Sequence, residues 1–334
     1  MIYQKRGIAL TIIISAAIAV LLITPFWGME SISIRSIFDN ENQLVDRIFW
    51  MVRLPRVLAA FLAGAALAIS GMVFQAMFRN PLATPFTLGV SSGAAFGAAV
   101  YIKIGVIFSA FGVPGQSLAA FIGASLSVIL VYGFSRMRKI FTPATMLMAG
   151  VAINFFFSSL ILFIQYLSDY ANSFRIIRWL MGGFEIAGFR PVFSILPFVI
   201  IGALLIALVI HELNLLLLGE DIALSRGVAV NKIRAILFFA TSLMIGAVVS
   251  VCGPIGFIGM MTPHICRLIL GPDHRLLAPA SFFFGGAFLV LCDTVARILI
   301  APAEIPVGVI TALLGGPFFL WLLLSGSSEH NPLG

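Results

Sequence analysis

The feature that most limits what this chain can fold into is a recurrence of uncharged apolar stretches. Each is roughly 17 to 25 residues long, the length a helix needs to cross the hydrocarbon layer of a bilayer. They follow one another along most of the 334 residues. In hydrocarbon every backbone N–H and C=O needs a partner within the protein, and a helix supplies those partners within itself. The chain is 61% hydrophobic and 10% charged, whereas a soluble domain is roughly half apolar and a quarter charged. The expectation is an all-α membrane protein, with residues 1–334 forming one transmembrane domain.

Hydropathy places about ten spans, at 8–26, 57–77, 87–102, 116–135, 144–167, 192–210, 234–252, 256–270, 277–300 and 306–325. Lys5 and Arg6 before the first run resemble the start of a signal peptide, but Pro25-Phe26-Trp27 is not a small-residue cleavage site, so the segment is kept as a span. Alternation from a cytoplasmic start puts both termini inside. It also puts loops 78–86, 136–143, 211–233 and 271–276 in the cytoplasm, and 27–56, 103–115 and 168–191 outside.

The basic residues test this orientation. Lys5, Arg6, Arg79, Arg136, Arg138, Lys139, Arg226, Lys232, Arg234, Arg267 and Arg275 fall inside, which is 11 of the 20. The margin is slim. Either the basic residues do not fix the orientation, or the outer arginines Arg35, Arg47, Arg53, Arg56, Arg175, Arg178, Arg190 and Arg297 have work there. The net charge of +7 is spread singly or in threes between apolar runs, without the stripe that a phosphate backbone needs. Cys252, Cys266 and Cys292 lie in apolar spans without CxxC spacing and read as packing residues.

Gly89, Gly93 and Gly97 repeat every fourth residue and would put three missing side chains on one helix face, open to another backbone. Gly64 with Gly71, and Gly253, Gly256 and Gly259, suggest the same in neighbouring spans. Pro254, Pro263, Pro306 and Pro317 break the eighth and tenth spans, and carbonyls freed in a membrane must be covered by protein or line an aqueous cavity. Arg56 to Phe61, opening the second span, resembles Arg234 to Phe239, opening the seventh. Either spans 2–5 and 7–10 form an inverted repeat, or the match is chance.

The chain has no GxxxxGK[ST] loop for nucleotide phosphates, and Asp293 is the one carboxylate well inside a span, with Arg297 one turn along as its natural partner. Energy for any transport is therefore expected from another subunit. Loop 211–233 is the place to dock it, because Asp221-Ile222-Ala223 followed by Gly227 reads as a short surface helix with a glycine stop. An ordinary connector has the same composition. On the outer side Arg53, Arg56 and Arg297 are either snorkelling anchors or a landing site for an acidic protein surface. His264 is the one histidine within a span. No Ser-His-Asp or HExxH arrangement exists, so enzymatic chemistry is unsupported.

Several motifs occur together: Arg53-Leu-Pro-Arg56, Gly64 to Gly71, Gln75, Arg79-Asn80-Pro81-Leu82-Ala83, and Leu88-Gly89-Val90. The carboxyl half adds Gly253 to Gly259, Pro263-His264, Arg267, Asp273-His-Arg275, Asp293 to Arg297, and Glu304 to Gly308. Over nearly the whole chain this set resembles the FecCD family, the permeases of importers for iron siderophores, haem and vitamin B12. The resemblance implies a type II importer permease in the cytoplasmic membrane of a bacterium or archaeon. It also implies a homodimer of ten-helix subunits, two cytoplasmic ATPase subunits that carry ATP and magnesium, and a periplasmic or lipid-anchored binding protein. No cofactor would be held by this chain.

Residue by residue, the resemblance makes Arg53, Arg56 and Arg297 the docking arginines. Glu220, Asp221, Ile222, Ala223, Leu224, Ser225, Arg226 and Gly227 would be the segment that couples to the ATPase. Asn80, Leu82, Thr142, Pro143 and Ala144 stand at inner-gate positions, where Pro143 and Ala144 depart from the small hydroxyl residues of the vitamin B12 permease. Transport by alternating access of a metal chelate is the function implied. A secondary transporter driven by an ion gradient is the alternative.

Overall fold

The computed structural model describes residues 2–28, 43–110, 112–137 and 142–326, and Arg35, Arg138 and Lys139 lie outside these. The helices in chain order are α1 (Ile2–Ile23), α2 (Gln43–Ile48), α3 (Leu54–Phe78), α4 (Val90–Ile104), α5 (Gly115–Met137), α6 (Pro143–Tyr166) and α7 (Tyr170–Leu180). They continue as α8 (Arg190–Leu208), α9 (Ile210–Leu218), α10 (Glu220–Ser225), α11 (Val230–Cys252), α12 (Ile258–Leu270), α13 (His274–Ile298) and α14 (Val307–Gly326). The ten expected spans coincide in order with α1, α3, α4, α5, α6, α8, α11, α12, α13 and α14. Among the described residues seven helical segments are long and apolar enough to cross a membrane; α4, α12 and α14 are shorter apolar helices.

Local chemistry explains where several helices begin and end. Thr142 and Thr145 form a reciprocal capping box with Pro143 at the first helical position of α6, where a missing N–H costs nothing. Asp169 caps α7 through Asn172 N at 2.7 Å, and Asp273 caps α13 through Arg275 N at 3.0 Å. Gly253 and Gly271, both at positive φ, terminate α11 and α12.

The centre of the molecule is α3, whose Ala59, Ala60, Ala63, Ala66 and Ala68 are wholly buried. It packs on both α12 and α13, at two glycine crossings. Gly64 lies against the Gly285 backbone of α13 and Gly71 against the Gly259 backbone of α12, leaving no room for a Cβ on either. On the other side of the molecule Gly93 and Gly97 of α4 meet Gly123 and Ala119 of α5 in the same way. Between lipid-like surfaces, contact of this kind is the main source of helix association. Gly89 also faces α5, where a Cβ would meet Ser127 Oγ at 3.0 Å, but it is not itself helical. It stands one residue before α4 at φ 77°, its carbonyl accepting from Ser127 Oγ at 2.7 Å, and it ends the short Pro85–Leu88 turn.

The neighbour relations repeat. α3 packs on α12 and α13, as α11 packs on α4 and α5; α4 packs on α5 and α6, as α12 packs on α13 and α14. In both sets the second helix is the short one, α4 or α12. Paired short segments in the two halves are the usual mark of a transport pathway.

The second span begins earlier than expected. α2 runs into α3 through a wide turn, Phe49–Arg53, in which Leu54 N reaches back to Phe49 O. Loop 168–191 also holds a helix, α7.

Candidate functional site

Functional side chains gather at two ends and at one break between them. At the first end, Arg56 donates from Nε to Asp293 Oδ2 at 3.0 Å and from Nη2 to Asp293 Oδ1 at 2.9 Å. Its Nη1 bonds Glu304 Oε2 at 2.8 Å. Arg297, one turn from Asp293 on α13, brings Nε to 3.3 Å from Asp293 Oδ2, the pairing anticipated from spacing. Arg53 donates from Nη1 to Phe26 O at 3.2 Å, tying α3 to the end of α1. One carboxylate thus serves two guanidinium groups, because α3 and α13 cross closely through their glycines and bring Arg56 and Asp293 level.

The structure does not leave these three arginines on an open rim. Arg53, Arg56 and Arg297 are 8%, 8% and 7% exposed, and their charge is turned inward. Among the described residues the basic side chains exposed at this end are Arg47, Lys103, Arg175, Arg178 and Arg190, with Arg178 paired to Glu185. Sequence reading missed Glu304 as a partner of Arg56, since the two are 248 positions apart.

At the opposite end lies the short helix α10. Ala223 is buried, while Asp221, Ile222, Leu224, Ser225, Arg226 and Gly227 are exposed. Gly227, at φ 80°, turns the chain so that Val228 N returns to Ala223 O at 3.0 Å. Glu220 receives two bonds from Arg234 on α11, Nη1 to Oε1 at 3.2 Å and Nη2 to Oε2 at 2.7 Å. The hydrogen bond from Arg234, with its charge and that of Arg79, holds the Glu220 carboxyl below its ordinary pKa, against a smaller opposing effect of burial.

Arg79 joins this end to the centre. It sits at φ 48° as the cap of α3 and donates from Nε and Nη2 to Leu216 O in the last turn of α9, at 3.0 and 2.9 Å. Asn80 then accepts Leu82 N on its side chain at 2.9 Å, and Leu82 is left exposed. Thr142 and Pro143 are absorbed in capping α6, and Ala144 is exposed beside them. Pro143 therefore has a structural reason to be where it is.

A second joint was not foreseen. Asn214 of α9 bonds Asp273 Oδ1 from Nδ2 at 2.9 Å and accepts His274 N at 3.0 Å, with His274 Nδ1 at 2.6 Å from the same oxygen. Burial alone would raise the Asp273 carboxyl, but the Arg275 N–H and Asn214 outweigh it and hold the group below its ordinary pKa. The motif Asp273-His-Arg275 was visible, but its partner on α9 was not.

Between the ends, the chain unwinds from Gly253 to Phe257 before α12. A cavity of about 530 Å³ opens there, lined by Phe86, Met181, Pro254, Phe257, Gly308 and Leu313 among others. Pro263 removes the donor to Gly259 O, and Gln75 of α3 covers it, with Nε2 at 3.4 Å from Gly259 O and 3.2 Å from Met260 O. His264 lies edge-on to Phe318, with ring centroids 6.0 Å apart.

The sequence matches the model of the FecCD transport family over residues 10–325. The chain belongs to that family. It is 42% identical over 276 residues to the cobalamin import system permease protein BtuC of Halobacterium salinarum, covering 81% of this chain and 72% of that one. It is 37% identical over 311 residues to the hemin transport system permease protein HmuU of Yersinia pestis, covering 91% of each. The fold agrees with a solved metal-chelate type ABC transporter in an inward-facing conformation, at a TM-score of 0.85 and 30% identity over 96% of this chain and 99% of that one.

Proposed function

We propose that this chain is the permease subunit of an ATP-binding-cassette importer that moves a metal chelate across the cytoplasmic membrane by alternating access. The observation that carries the reading is family membership along almost the whole length, together with the exposed helix α10. Ile222 and Leu224 are 45% and 54% exposed on an otherwise polar segment anchored by Ala223 and Glu220. Apolar side chains held on a rigid surface element form a docking knob for another protein. A partner ATPase would push there. The displacement would reach α3 through Arg79 and Leu216, and α13 through Asn214 and His274. The chain itself carries no nucleotide loop.

In this reading two copies of the chain enclose the pathway, and a binding protein delivers the chelate at the Asp293 end. Docking there would rest on the exposed Arg47, Arg175, Arg178 and Arg190. Arg53, Arg56 and Arg297 would contribute as a positive reserve that Asp293 and Glu304 only partly offset. Asn80, Leu82 and the start of α6 would form the inner gate.

Reconstitution of the chain in liposomes, with and without an ATPase subunit and a binding protein, tests the proposal. Uptake that requires both and stops without ATP is expected. Uptake by the chain alone under an ion gradient would establish the secondary transporter instead.

A further inference from the structure

We infer that Arg267, flanked by His264, is a cation built into the pathway wall to hold a carboxylate of the transported chelate. The inference rests on the importer reading and names the chemistry of its cargo.

Arg267 differs from the engaged arginines that lie within the spans on either side of it. Arg56 and Arg297 share Asp293, and Arg234 holds Glu220. Among the described residues no carboxylate lies within ion-pair distance of Arg267, and its hydrogen bond goes from Nη2 to the neutral amide oxygen Oε1 of Gln75 at 2.9 Å. Asp273, the acid nearest in sequence, is engaged by Asn214 and the Arg275 N–H. Gln75 gives its own N–H donors to Gly259 O and Met260 O, so its oxygen is committed toward Arg267. The guanidinium is thus oriented while its charge stays uncompensated.

An ordinary anchor would behave differently. Arg267 stands one turn from the end of α12, where a snorkelling side chain reaches outward to water. Here it turns instead to Gln75 of α3, whose amide also reaches Met260 O, one to two turns back along α12. An unpaired cation directed into the membrane belongs beside protein or water, because lipid would reject it.

Met260, His264 and Arg267 are half-buried and fall on one face of α12, and Phe318 of α14 stands beside His264. The chain just before α12, at Pro254, Gly256 and Phe257, lines a cavity of about 530 Å³ together with Leu313 of α14. The wall is apolar with one oriented guanidinium, which suits a bulky chelate that carries a carboxylate.

The test uses the permease assembled with its ATPase in nanodiscs, titrated with haem, which bears two carboxylates, and with its dimethyl ester, which bears none. Trp321, with its ring 6.4 Å from Phe318, reports binding by fluorescence quenching, and Trp321→Phe separates its signal from Trp27, Trp50 and Trp179. The acid should bind about tenfold more tightly than the ester, a preference abolished by Arg267→Gln and kept by Arg267→Lys. No quenching by haem, equal binding of acid and ester, or a preference that survives Arg267→Gln would overturn the inference. Copurification of the ATPase, and ATP-driven uptake after the same protein is reconstituted in liposomes with a binding protein, are expected of the unmodified protein; their absence would defeat the importer reading instead.

Discussion

The two ends of the molecule hold their charges in opposite ways. At the Asp293 end Arg56 and Arg297 are buried around one buried carboxylate, and the lattice of bonds locks α3 to α13. At the Glu220 end the pair formed with Arg234 is buried on the arginine side and 45% exposed on the carboxylate side. Beyond it the chain displays six exposed residues of 220–227. A buried shared charge is expensive to disturb, whereas a half-exposed pair can open and close at little cost. The first end holds two spans in register, and the second is the one that, in the proposed reading, something outside the chain would move.

The largest effect expected from this contrast is at Asp293. Asp293→Ala would leave Arg297 buried without its counter-charge and Arg56 with the half-exposed Glu304 alone, a loss of about 3 to 5 kcal/mol. Chemical denaturation in detergent should show it, and replacing Arg56, Asp293 and Arg297 together by Met or Leu should recover most of it. If Asp293→Ala alone is neutral, the two ends do not differ in the way described.

A smaller stability effect, up to about 1 kcal/mol, is expected for Glu220→Ala because its carboxylate is half in water. Its consequence should appear instead in transport: fewer chelates moved per ATP, with the ATPase still bound. The exchanged pair Glu220→Arg with Arg234→Glu should restore coupling if the bond and not the particular residue matters.

The smallest effect is the pH dependence of that pair. The Glu220 pKa is depressed on folding, chiefly by the Arg234 hydrogen bond. The contribution is therefore complete above the ordinary carboxylate pKa of about 4 and fades as pH falls through the lower folded value. The difference in unfolding midpoint between the unmodified protein and Glu220→Gln should be flat near neutrality and shrink in acid. A difference that grows as pH falls would reverse the assigned sign.

Much of this architecture is legible in the sequence because lipid leaves few choices. Ten apolar runs became ten helices, and the i to i+4 spacing of Asp293 and Arg297 gave their pairing. Gly64, Gly71, Gly93 and Gly97 marked real crossings, and Gly89, equally well spaced, faces α5 while also ending a turn. What spacing cannot give is the partner across the fold. Glu304 on Arg56, Gln75 on Arg267 and Asn214 on His274 are each set by how α3, α9 and α12 to α14 are packed. Helix α7 escaped because its Arg175 and Arg178 made the segment look like a polar loop; Asp169 as a cap was the signal that could have found it.

The central claim is that the Glu220 end receives the motor. A cysteine placed at Ile222, in a background without Cys252, Cys266 and Cys292, should crosslink to a purified cognate ATPase subunit and arrest uptake, while one placed at Arg178 should not. Crosslinking from Arg178 with none from Ile222 would contradict the account.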